Sequence, residues 1–121
     1  MKVKTSELRG GALDWAVAKA IGKDFFIEGK AVLSFCPGAD IPGVPYFDRE
    51  YWMPSVKWSQ GGPIFESNKI DTFWDSGNEC WDASMDKGMF VESGPTPLIA
   101  AMRCFVASKF GDEIDVPEGL L

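Results

Sequence analysis

Ile70-Asp71-Thr72-Phe73-Trp74-Asp75-Ser76-Gly77-Asn78-Glu79-Cys80-Trp81-Asp82-Ala83-Ser84-Met85-Asp86 is the stretch on which the fold turns. Ile70, Thr72 and Trp74 alternate with Asp71, Phe73 and Asp75, and Trp81, Ala83 and Met85 alternate with Asp82, Ser84 and Asp86. That is the period of strands with one face on a core and one in water. Shorter runs of the same character lie outward: Phe25 to Ile27, Ala31 to Phe35, Ile64 to Glu66 and Met89 to Val91, each bounded by turn residues. Ser67-Asn68-Lys69 reads as the turn of a hairpin. The connections are too short for parallel crossovers, so the strands are expected to form an antiparallel sheet.

Helical patterns flank these runs. Leu13, Ala16, Val17, Ala20 and Ile21 recur at helical spacing and Gly22 stops them; Gly10 and Gly11 weaken the first turn, leaving Ala12 to Ile21 as the firm part. Near the other end Thr96 is a natural N-cap, Pro97 suits the first helical position, and Leu98, Ile99, Met102, Phe105 and Val106 line one face until Gly111. The expected class is α+β, an antiparallel sheet with an N-terminal and a C-terminal helix packed on one face. Residues 1–121 read as one domain, with 112–121 a solvated, partly frayed acidic tail. Residues 37–54 hold four prolines among crowded aromatics and resist assignment to an element; a loop of that length is usually functional or mobile.

Composition excludes more than it selects. Without a histidine in 121 residues, the commonest general base and metal ligand are missing, and no Ser–His or Cys–His nucleophile can be built. The expectation is a protein that is not an enzyme and takes no cofactor or metal. Asp82, Ser84 and Asp86 match the opening of a calcium loop, but Lys87 replaces its glycine and Ser93 its closing glutamate. A net charge of −6 argues against a nucleic acid as partner. It is unevenly spread, since residues 1–30 carry six bases against four acids. No apolar signal segment follows Met1 and no window approaches the ~20 apolar residues of a membrane span, so the chain reads as cytosolic, with no membrane partner. Cys36, Cys80 and Cys104 are odd in number and widely spaced, which predicts reduced thiols.

Three features offer binding chemistry. Trp58-Ser59-Gln60-Gly61-Gly62-Pro63 combines a stacking ring with glycines that let backbone amides approach a ligand, or else forms a tight turn leading into a strand. Thr96 opens the second helix, whose first amides serve either the threonine cap or an anion assisted by Arg103. Five tryptophans exceed what such a core needs, so some are expected near the surface, at a protein interface or a planar-ligand site. An aromatic surplus of this kind also predicts a homo-oligomer.

Three segments together, Ala12-Leu13-Asp14-Trp15-Ala16-Val17-Ala18-Lys19, Trp58 to Ile64, and Gly94-Pro95-Thr96-Pro97-Leu98-Ile99-Ala100-Ala101-Met102-Arg103 followed by Gly111-Asp112-Glu113, resemble the NinX-like family of small tailed-phage proteins. The resemblance covers nearly the whole chain in order. It implies a phage gene expressed in the host bacterial cytoplasm and supplies no mechanism. Two functions are then expected from the residues. One is a module for a nucleotide-like ligand, an anti-defence sponge for a host signalling nucleotide, with Trp58 or Trp15 stacking on the base and Gln60, Gly61, Gly62, Thr96 and Arg103 around it. The other is a protein-binding inhibitor of a host enzyme acting through exposed aromatics.

Overall fold

The computed structural model describes residues 1–36 and 48–121. Its order is β1 (Lys2–Lys4), α1 (Gly10–Ile21), β2 (Phe25–Glu28), β3 (Ala31–Cys36), β4 (Asp48–Tyr51), α2 (Trp58–Ser67), β5 (Asp71–Asp75), β6 (Cys80–Met85), β7 (Phe90–Gly94), α3 (Pro97–Phe110) and β8 (Glu113–Asp115). The class is α+β and every strand pair is antiparallel, but the strands form three sheets, β1–β8, β2–β3–β4 and β5–β6–β7, where one was expected. Among the described residues, no helix is long and apolar enough to cross a membrane.

The alternating stretch behaves as its pattern dictates. Trp74 pairs with Trp81, and Thr72 with Ala83, which places Ala83 and Met85 on the face covered by α3, while Asp71, Phe73, Asp82 and Ser84 turn outward. Trp74 lies on an edge strand and stays half exposed, meeting Trp81 edge-on at 5.5 Å between centroids. Gly94 is required at the β7–α3 junction because a Cβ there would lie 2.8 Å from the Ala100 nitrogen. α3 begins as expected, with Thr96 Oγ1 accepting the Ile99 N–H at 3.1 Å and Pro97 at the first position. It is the central element, packed on β6 and β7 on one side and α1 on another, and its Met102 and Val106 join Leu13 and Val17 in the core.

Two segments depart from expectation. Ile64–Glu66 belongs to α2, so Gly61-Gly62-Pro63 lies inside a helix and forms neither a tight turn nor the entry to a strand. Burial explains the choice: Gly61 and Ile64, three residues apart, share the inward face of α2, and a Cβ on Gly61 would run into the Pro54 carbonyl and a Leu98 methyl. Ser67-Asn68-Lys69 accordingly ends a helix, with Asn68 Nδ2 donating to the Ile64 carbonyl at 2.8 Å, and is no hairpin. The acidic tail is likewise anchored. Ile114, Val116 and Leu120 are buried between exposed acids, β8 pairs with β1, and the Met1 ammonium donates to Asp115 at 2.7 Å and to the Val116 carbonyl at 3.0 Å. The expectation for the proline-rich segment falls mostly outside the described residues. Its described end is ordered by β4 and by a strap from Trp52 to Val56 that leads into α2.

Candidate functional site

The strap is held by α1, β3 and α2. Trp52 donates its backbone N–H to the Val32 carbonyl at 2.8 Å and its indole Nε1–H to the Asp14 carbonyl at 3.1 Å. Ser55 donates its amide to Asp14 Oδ1 at 2.9 Å. From the other side Gln60 on α2 accepts the Met53 N–H through Oε1 at 2.6 Å and donates Nε2 to the Tyr51 carbonyl at 2.9 Å. Lys23 places its ammonium 4.8 Å from the Trp52 ring centroid.

Between strap, α1 and the β2–β3 hairpin lies a cleft of about 550 Å³, lined in part by Asp14, Glu28, Lys30, Tyr51, Trp52 and Val56. Its volume falls in the ordinary range for small-molecule sites. Asp14 is 4% exposed, and loss of hydration raises its pKa to about 6 against the opposing help of Ser55. Tyr51, at 57% exposure, offers an open aromatic face on the rim. A second groove of about 870 Å³ continues past the start of α1 and is lined by Arg9, Lys30 and Arg103 among others. Gly10, Gly11 and Lys30 border both depressions.

The two glycines, which weaken a helix in isolation, make this junction. Gly10 has φ +56°, which a side chain rarely tolerates, and a Cβ on Gly11 would strike the Lys30 carbonyl. The helix therefore meets the hairpin in close contact, and no side chain caps its first amides.

The residues expected to bind are placed differently. Trp15 is buried in the core with Lys19 5.0 Å from its ring centroid. Trp58, 54% exposed, meets Phe65 edge-on at 6.1 Å. Gln60 clasps the strap, Gly61 packs against Pro54 and Leu98, and Gly62 leaves room beside Trp58. Thr96 caps α3. Arg103 donates Nε to the Leu8 carbonyl at 2.7 Å and Nη1 to the Ser93 carbonyl at 2.8 Å. Partial burial lowers its pKa, opposed by nearby Glu92. The structure thus brings α2 and the start of α3 together as packed surfaces. Of the seven residues, Arg103 alone lines either depression, on the wall of the groove, and none lines the cleft.

Asp14, Lys30, Tyr51 and Ser55 were not singled out by sequence. One signal was available: Asp14 is the single charged residue in 12–18, a run whose other members are all apolar. Elsewhere Asp75, Cys80 and Asp82 bring ligand-type atoms within 4.8 Å of one another on the outer face of β5–β6. Asp75 is already committed to the turn, accepting the Gly77 N–H at 3.0 Å and Asn78 Nδ2–H at 2.9 Å, and Asp82 accepts the Ser93 hydroxyl at 2.7 Å. Cys80 and Cys104 are free thiols; the side chain of Cys36 lies outside the described residues. Burial pushes the Cys104 thiol up to about 12, far from a reactive thiolate.

Comparison with curated proteins gave no match. The model of the family described as Bacteriophage P22, NinX matches residues 4–109. With nearly the whole chain matched, this protein belongs to that phage family.

Proposed function

We propose that this phage protein binds a small nucleotide-like ligand without transforming it, in the cleft over Asp14, and so removes a signalling nucleotide from the host cytoplasm. The observation that carries the reading is the meeting, at Gly10, Gly11 and Lys30, of an aromatic-rimmed cleft with a groove bearing Arg9, Lys30 and Arg103. A base fits the first against Tyr51, and a phosphate fits the second beside the uncapped start of α1. The overall charge of −6 opposes an anion, but the groove's wall carries Arg9, Lys30 and Arg103 against the one acidic side chain Glu7.

Stacking on one ring gives about 1–3 kcal/mol, too little for useful affinity by itself, so the cationic groove must contribute as well. In calorimetric titration with mononucleotides, Tyr51→Ala and Lys30→Ala should each weaken binding about tenfold, or 1.4 kcal/mol. Both side chains reach the surface, so melting should move by no more than a few degrees. Absence of binding at millimolar nucleotide would sink the reading. Inhibition of a host protein is the second reading, favoured by the half-exposed Trp58, Phe73 and Trp74. Phe73 and Trp74 point to opposite faces of β5, however, so these rings do not form one patch.

A further inference from the structure

We propose that the ligand of this cleft is a guanine nucleotide, recognised by Asp14 through the adjacent N1–H and N2–H donors of the base. The inference rests on the nucleotide reading above and specifies its chemistry. A carboxylate that is 4% exposed needs hydrogen-bond donors to replace lost water. The fold supplies the Ser55 amide to Oδ1 at 2.9 Å, and the Ser55 side chain lends lesser support. The one salt bridge among the described residues joins Met1 to Asp115, so no cation among the described residues pairs with Asp14. A carboxylate accepts up to about four hydrogen bonds, which leaves acceptor capacity unused where Asp14 lines the cleft.

Base edges differ in what they present to such a group. Adenine and cytosine each place a single amino donor beside a ring-nitrogen acceptor, and that lone pair repels a carboxylate. Uracil has one N–H between two carbonyl oxygens. Guanine alone among the four offers two neighbouring coplanar donors, matched to the two oxygens of one carboxylate. Glu28, on the same cleft, reinforces the preference for a donor-rich edge. A guanidinium group has similar paired donors, but it lacks the bicyclic face that Tyr51 can stack on. Its positive charge also gains nothing from the adjacent Arg9, Lys30 and Arg103.

The test is calorimetric titration of the full chain with GMP, IMP, AMP and agmatine at neutral pH. IMP is GMP without the 2-amino group and keeps the same sugar, phosphate and N1–H. GMP should bind about tenfold or more tighter than IMP and AMP, because a site built around a donor rejects analogues lacking it. Asp14→Asn should shrink the difference between GMP and IMP, and the wild-type series stands without that variant if it folds poorly. Equal affinity for the three nucleotides would overturn guanine recognition and leave nucleotide binding intact. No binding by any of them would overturn both, and agmatine competing as well as GMP would overturn recognition of the base.

Discussion

The α2–α3 junction and the start of α1 are both rich in polar groups and glycine, yet the fold uses them in opposite ways. At the junction the polar groups close their bonds within the fold, while the Trp58 ring stays half exposed. Gln60 spends both ends of its amide on the strap, and Thr96 caps its helix. At the start of α1 the helix has no side-chain cap, and Asp14 is buried without an ion-pair partner among the described residues. Polar residues whose bonds close within the fold explain stability. A desolvated acid whose capacity stays open toward a cleft is the feature on which the proposed ligand site rests.

A structural role for the junction fails if its packing proves dispensable for stability. Gly61→Ala puts a methyl into the Pro54 carbonyl, and we expect a loss of about 2–3 kcal/mol, seen as a fall in Tm on the order of 10 °C. Arg103→Ala strands the Leu8 and Ser93 carbonyls and should cost about 2 kcal/mol in urea unfolding. If Gly61→Ala unfolds like wild type while losing ligand affinity, the junction is a binding surface after all; Arg103, which also lines the groove, is expected to lose affinity together with stability.

Asp14 sharpens the other half. Its folded pKa is raised, so the carboxyl binds its proton more tightly folded than unfolded. Its contribution to stability is therefore complete below the unfolded value of 3.8 and is lost as pH rises through about 6. Asp115 and Asp75 have lowered values and act in the reverse sense, losing their contributions as pH falls, so the comparison needs a variant at Asp14 alone. Asp14→Asn keeps an acceptor for the Ser55 amide without the buried charge. Urea unfolding should show it gaining on wild type between pH 4 and 7 by about 1–3 kcal/mol. A constant difference across that range would mean that the charge is not desolvated. The smallest expected effect is Trp58→Ala, below about 1 kcal/mol in stability because its ring is half exposed, with nucleotide affinity unchanged.

The helices at both ends were legible because their signals are local: Thr96-Pro97 starts α3 and Gly22, at φ +69°, stops α1. The alternation in β5 and β6 was equally plain and assigned the correct faces. α2 was hidden because Gly61-Gly62-Pro63 is turn chemistry by local rules, overridden by close packing on Pro54 and Leu98 that no local pattern encodes. Division into three sheets depends on pairings such as Val3 with Ile114, across almost the whole chain. The tail's acids suggest a solvated segment, although Ile114 and Val116 alternate with them and are buried. The cleft was the least legible feature. Asp14 stood out in an apolar run, but its significance depends on Ser55, which lies 41 residues away in sequence.

Amide chemical-shift mapping during titration with GMP shows where on the chain a nucleotide binds. The largest shifts should fall at Gly10, Gly11, Asp14, Lys30, Tyr51 and Ser55, with Trp58 to Gly62 and the first turn of α3 undisturbed. Shifts concentrated on Trp58, Gly61, Gly62 and Leu98, with the α1 cleft silent, would contradict binding in the cleft.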